Sequence, residues 1–125
     1  MTENSKLIVD EELILAAVAA RTSTLTGSGK AVGPLGPAEI QIPVSDYTST
    51  PSIAVHIQES DDDDDADKYA SNEVAGIVTI APTAAAHKKI YRIPIIGTKK
   101  WVRAYVVHAD ADSITYGVFI TTRGN

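Results

Sequence analysis

The stretch WVRAYVVHADADSITYGVFITT, residues 101–122, decides the fold. Apolar side chains recur at every second position along Trp101–His108 and again along Ile114–Thr122, and this period is typical of half-buried β-strands. The positions predicted to face the core are Val102, Ala104 and Val106 in the first strand and Ile114, Tyr116, Val118 and Ile120 in the second. We predict that the two strands pair as an antiparallel hairpin, connected by Ala109–Asp112.

Shorter runs with the same period occur after Pro37. The predicted strands lie in the ranges Glu39–Val44, Ile53–Gln58, Gly76–Ile80 and Ile90–Ile95. Pro43 and Asp46 are expected to end the first of these strands. Pro94 cannot donate a ladder hydrogen bond, so its strand is predicted at a sheet edge or close to its own end.

The N-terminal region allows two interpretations. Within Lys6–Ala20, Asp10 can cap a helix, or Leu7–Val9 and Leu13–Leu15 can form two short strands. Thr, Ser, Gly and Pro then dominate Arg21–Pro37, which is predicted to be a flexible or extended arm.

Together with the N-terminal pair, eight short strands are available. Strands spaced about ten residues apart, with turn residues between them, are typical of sandwiches and barrels. We therefore predict an all-β, jelly-roll-like sandwich of about eight antiparallel strands with an irregular N-terminal region. Residues 1–125 are predicted to form one domain, with residues 1–37 as N-terminal strands and arm and residues 38–125 as the main sandwich.

Composition narrows the functional classes. The chain has no cysteine, which excludes disulfides and thiolate metal sites. Its polar, acidic start is unlike a secretion signal, and the apolar run Leu13–Ala20 is far shorter than the ~20 residues of a membrane span. We expect a protein made in the cytosol with no membrane partner.

Charge is distributed unevenly along the chain, whose net charge is −5. Residues 1–67 carry three basic and thirteen acidic residues, whereas residues 68–125 carry eight basic and three acidic ones. This asymmetry suggests complementary contacts with a partner or with another copy of the chain.

The most acidic stretch is Glu59–Asp67, and its repelling carboxylates predict an exposed loop. An EF-hand starting at Asp61 would need glycine where Ala66 stands and glutamate where Asn72 stands, so a calcium site is not expected. The loop is interpreted as a solvated connection, with docking onto a basic partner surface as the alternative.

No catalytic motif is present. His56, His87 and His108 are far apart in sequence, and none has another ligand at zinc-binding spacing. The chain has neither a nucleophile elbow nor a complete phosphate-binding loop. The sequence therefore predicts no enzyme, no metal and no cofactor.

Basic and aromatic residues are interleaved near the C terminus. Alternation places Trp101, Arg103 and Tyr105 on one strand face. Such residues suit a single-stranded nucleic-acid platform, but the overall acidity favours a protein interface. The candidate interface residues are Trp101, Arg103, Tyr105, Arg92, Asp61, Asp62, Asp63, Asp64 and Asp65.

Three short motifs occur in a fixed order along the chain. Gln58-Glu59-Ser60 closes one strand, Arg92-Ile93-Pro94 lies in the next long run, and Lys100-Trp101-Val102-Arg103 opens a C-terminal strand. Their order resembles the small jelly-roll cement proteins of tailed-phage heads, over roughly Lys6–Thr122. The aspartate run is a departure from that family's pattern.

The resemblance implies a virion protein that binds the outer surface of an HK97-type major capsid lattice. It also implies a homodimer or another small symmetric homo-oligomer, assembled in the host cytoplasm, that ties neighbouring capsomers together without binding nucleic acid. The alternatives are a carbohydrate-binding β-sandwich module, which needs exposed coplanar aromatic rings, and a small OB-like nucleic-acid binder.

Overall fold

The computed structural model describes residues 14–32, 34–62, 69–70, 72–74 and 78–122. Within these residues, eight antiparallel strands form two sheets of four. The strands are β1 (Ile14–Arg21), β2 (Leu25–Thr26), β3 (Gly36–Tyr47), β4 (Ile53–Ser60), β5 (Val78–Ile80), β6 (Ile90–Gly97), β7 (Trp101–His108) and β8 (Ile114–Thr122). Sheet I has the order β1-β8-β3-β6 and sheet II the order β2-β7-β4-β5. These orders are those of a jelly roll, so the predicted fold class is confirmed.

The predicted hairpin between β7 and β8 is wrong. β7 pairs with β4 and β2 in sheet II, whereas β8 pairs with β1 and β3 in sheet I. Both strands carry an apolar row on one face, but the two rows approach the core from opposite sheets. The connection Ala109–Ser113 is long enough to cross the ~10 Å between packed sheets, because an extended chain spans roughly 3.3 Å per residue.

The core lies between the two inward rows of side chains. Every core position predicted for β7 and β8 is buried: Val102, Ala104, Val106, Ile114, Tyr116, Val118 and Ile120 are each at most 3% exposed. Ile40, Ile42 and Val44 of β3 and Ile53, Val55 and Ile57 of β4 join them. Each fully buried Val or Ile side chain contributes about 1.5–3 kcal/mol, so this contact is the main stabilising interaction of the fold.

Two other strands differ in extent from their predictions. β3 continues past Pro43 and Asp46 to Tyr47, with Pro43 opposite Ile90 of β6. β5 begins at Val78 in the described residues, and Gly76 and Ile77 of its predicted range lie outside them. The edge position predicted from Pro94 is confirmed, since β6 pairs only with β3 among the named strands.

Residues 14–20, the described part of Lys6–Ala20, are strand rather than helix. Leu7–Val9, Asp10 and Leu13 lie outside the described residues. Ile14 and Leu15 of the second predicted N-terminal strand belong to β1, and a further strand, β2, lies inside the predicted arm. β1 and β2, from the predicted N-terminal strands and arm, both contribute to the two sheets.

The arm is fastened along the edge of β7. Gly27 N donates to Ala104 O at 2.8 Å, and Lys30 N donates to Val102 O at 2.8 Å. A Cβ atom on Gly27 would lie 2.9 Å from Ala104 O and 3.2 Å from Leu15 O. Glycine is therefore needed where the arm passes between β1 and β7.

Replacing this glycine should loosen the arm. We expect Gly27→Ala to lower the free energy of unfolding by about 1–3 kcal/mol, because the added methyl group overpacks against backbone oxygens. Urea denaturation measures the change. The matched control is Ser28→Ala at the exposed neighbouring position, which should change stability by no more than about 0.5 kcal/mol. Equal stability of the two variants would contradict the proposed packing of the arm.

Candidate interaction surfaces

The predicted aromatic and basic residues of β7 share the outer face of sheet II. Trp101, Arg103 and Tyr105 alternate with the buried residues of β7 and point away from the core. On the neighbouring strand β4 they lie opposite Ser60, Gln58 and His56. The outward-pointing side chains of β4 and β7 therefore lie side by side, with Gln58 and Ser60 buried among them.

Arg103 is the centre of a closed polar network on this surface. Its Nε donates to Gln58 Oε1 at 2.9 Å, and Gln58 Nε2 donates to Glu73 Oε2 at 3.1 Å. His56 Nδ1 lies 2.7 Å from the same Glu73 oxygen. The His56 ring centroid lies 5.4 Å from that of Tyr105, so the chain of contacts begins and ends on β7.

The same guanidinium holds part of the β4–β5 connection against the sheet. Arg103 Cζ lies 4.4 Å from the Tyr69 ring centroid, and Tyr69 is only 2% exposed. Asn72 O accepts from Glu59 N, and Val74 N donates to Ile57 O, so residues 72–74 run beside β4. Arg103 therefore donates its Nε hydrogen to Gln58 and stacks on Tyr69, both within the protein.

A buried carboxylate shapes the β6–β7 turn. Glu59 is 4% exposed and faces inward. Its oxygens accept hydrogen bonds from Thr98 N at 3.0 Å, Thr98 Oγ1 at 3.0 Å and Lys99 N at 3.1 Å. Charge-assisted hydrogen bonds of this kind satisfy a buried carboxylate and fix the turn. The turn leads directly to Lys100 and Trp101, whose ammonium and ring lie 5.8 Å apart.

The start of the acidic run is held at the same end of the sandwich. Asp61 Oδ2 lies 3.3 Å from Lys99 Nζ, and Ser60 Oγ accepts from Asp62 N at 2.9 Å. The Asp61 side chain is 69% exposed, so this ion pair is worth little by itself. Asp63, Asp64 and Asp65 lie outside the described residues.

Arg92 is separated from the other candidate residues. It lies on β6, on the outer face of sheet I, with Nη1 3.2 Å from Glu39 Oε1. Lys88 is close to Asp46 at the other end of β6 from Lys99. The basic residues that are close in sequence are therefore distributed over both sheets and both ends, and the described residues form no single basic platform.

Sheet I exposes three large apolar side chains that the sequence had not indicated. Its exposed large side chains are Val18 at 50%, Ile90 at 46% and Ile96 at 67%. Val18 and Phe119 close over Gly117, where a Cβ atom would lie within 2.9 Å of both side chains. The available signal was β6 itself, whose residues are mostly apolar at both alternating positions. Each is a candidate contact point, because covering an exposed apolar side chain lowers the free energy of association.

The described part of the chain offers little that could bind metal. In it, no three His, Asp or Glu side chains converge on a point that could hold a metal ion. None of its helical segments has the length and apolar character needed to cross a membrane.

An open groove of about 390 Å³ lies between β1 and the arm. The residues that line it are Ile14, Leu15, Ala16, Ala17, Ser28 and Lys30.

Comparison with known proteins gives little functional information. No family model matches the chain. The chain is 32% identical over 111 residues to the human E3 ubiquitin-protein ligase RBBP6, a match that covers 80% of this chain and 6% of the ligase. The chain thus spans a small fraction of the length of this curated relative.

Removing the planar guanidinium from the network should release the β4–β5 connection. We expect Arg103→Lys to lower the free energy of unfolding by about 1–2 kcal/mol, because lysine keeps the charge but loses both the Nε hydrogen bond and the planar stacking. Urea denaturation measures this loss, and amide exchange should accelerate in residues 69–74.

The matched control is Arg92→Lys. That side chain is 55% exposed and makes one ion pair, so its replacement should change stability by at most about 0.5 kcal/mol. If the two variants lost equal stability, with residues 69–74 still protected in Arg103→Lys, Arg103 would not be the fastening residue.

Proposed function

We propose that this protein is a cement protein that binds the outer surface of a phage major capsid lattice and stabilises neighbouring capsomers. The observation that supports this most is the contact between Gln58 and Arg103. These residues belong to two of the short motifs that resemble the cement family, and their hydrogen bond gives the motifs a common physical purpose. The jelly-roll strand order agrees with the fold that the resemblance implies.

Surface chemistry also supports a structural binding protein. The outer face of sheet II is consolidated by its own network, whereas sheet I exposes Val18, Ile90 and Ile96. A rigid sandwich with distinct faces and ends can touch several capsid subunits at once, and affinity then grows through multivalency. A homodimer or another small symmetric homo-oligomer on the capsid surface would increase that effect further.

The alternatives receive less support. Tyr105 contacts His56 and Arg103, and Lys100 lies over Trp101, so no flat pair of free rings favours a carbohydrate-binding module. The eight-stranded sandwich differs from the five-stranded barrel of an OB-fold. Ligase activity is not proposed, because the match covers 6% of the ligase and the chain has no cysteine for a RING-type zinc site.

Association with capsids tests the proposal. Expanded heads assembled from the major capsid protein of the same genome are incubated with the chain and sedimented. We expect the wild-type chain to co-sediment saturably. The double variant Ile90→Ser, Ile96→Ser should bind at least about tenfold more weakly, because the two substitutions remove apolar area that a capsid partner would cover.

A second variant replaces Asp61–Asp65 by asparagine and measures the contribution of the acidic run, which we expect to weaken binding in a salt-dependent way. The control is Thr79→Ser, at an exposed position of sheet II, which should bind like the wild type. If the folded wild-type chain never associates with heads, the proposed function is wrong.

A further inference from the structure

A histidine occupies the end of the apolar row of β7. His108 follows Val102, Ala104 and Val106 on the inward side of the strand and lies opposite Ile53 of β4. Both of its ring nitrogens are buried from solvent and have no hydrogen-bond partner among the described residues. Its backbone N–H, in contrast, donates to Thr24 Oγ1 at 3.1 Å. An imidazole in such a place is tolerated best in its neutral form.

The neighbours of this imidazole come from both sheets. The Tyr116 ring of β8 lies 6.3 Å away, and Arg21 Cζ of β1 lies 4.8 Å above that ring. Arg21 donates to Tyr116 O at 2.8 Å and to Ala17 O at 2.7 Å, so it holds the end of β1 over the cluster. The remaining charged neighbour is Asp110, in the β7–β8 connection.

The electrostatics favour neutral His108. Burial lowers the pKa of His108 below its usual value of 6.5, and Arg21 lowers it further, while Asp110 partly opposes both by raising it. Burial raises the pKa of the Tyr116 phenol, so that group stays neutral over the same pH range. Because the pKa of His108 is depressed in the folded state, its contribution to stability is present above about pH 6.5 and is lost as the pH falls.

We propose that the His108–Arg21 end of the sandwich is an acid-sensitive latch. It holds β1 and the β1–β2 connection against sheet II while His108 is neutral, and it opens when the imidazole takes up a proton. Protonated His108 would bury a positive charge close to that of Arg21, and neither ring nitrogen has a hydrogen-bond partner among the described residues. Exposing the ring to water removes this desolvation penalty.

β1 is the element that can move. Among the named strands it lies at the edge of sheet I and pairs with β8 alone. Its register is interrupted between Ile14 and Ala16 and again between Ala16 and Ala19. Opening there breaks fewer ladder hydrogen bonds than displacing β7 or β8, which each pair on both sides. The latch goes beyond the proposed capsid function and does not depend on it.

Hydrogen exchange at pH 7.5 and pH 5.5, corrected for intrinsic rates, tests the latch on the intact chain. In the wild type, protection of residues 14–26 should fall below about pH 6.5 by a factor approaching tenfold per pH unit, while β3 and β4 stay protected. In His108→Gln, which cannot gain a charge, protection of residues 14–26 should not change between the two pH values. His56→Gln and His87→Gln should behave like the wild type.

Asp110→Asn provides an independent test should the glutamine variant fold poorly. Asp110 raises the pKa of His108, so its neutralisation should lower that pKa further and let the loss of protection continue to lower pH than in the wild type. The latch is overturned if the wild type shows no local loss, if all strands lose protection equally, or if His108→Gln keeps the wild-type pH dependence.

Discussion

The structure depends on apolar contact between two rows of side chains that belong to different sheets. β7 contributes Val102, Ala104 and Val106 from sheet II, and β8 contributes Tyr116 and Val118, among others, from sheet I. Because each row occupies every second position, the intervening residues must point outward. This constraint creates two outer faces with different chemistry, one on each sheet.

The outer faces of the two sheets differ in their side-chain contacts. On sheet II, Arg103, Gln58, Glu73 and His56 satisfy one another and hold Tyr69 against the sheet. On sheet I, apolar side chains remain exposed. A face that satisfies its own polar groups contributes rigidity, whereas exposed apolar surface gains free energy when a partner covers it. The proposed capsid-binding role assigns these two tasks to separate sheets.

The two ends of the sandwich differ in how their buried polar side chains are hydrogen-bonded. Glu59 is buried near the β6–β7 turn and receives hydrogen bonds from Thr98 and Lys99. His108 is placed at the opposite end of the β4–β7 pair, and its ring receives no such bonds from the described residues. The first end is therefore fixed by its hydrogen bonds, while the second depends on the protonation state of one imidazole.

The two-residue period was enough to predict the all-β fold and the bounds of β7 and β8. It also predicted that Trp101, Arg103 and Tyr105 share one face. The pairing of β7 with β8 was predicted wrongly, because alternation defines a strand's inner face but not the sheet to which it belongs. Glu73 and Tyr69 were missed because irregular segments have no period. Arg92 was grouped with Arg103 by sequence proximity, although a sheet crossing separates β6 from β7.

Strand pairing in solution tests the central claim most directly. Multidimensional NMR of the isotope-labelled chain would identify the neighbours of β7 and β8 from backbone nuclear Overhauser effects. We expect cross-strand contacts between Ala104 and Ile57 and between Ile120 and Ile40, as in the observed registers. A continuous ladder of contacts linking Trp101–His108 to Ile114–Thr122 would place both strands in one sheet and rule out the sandwich described above.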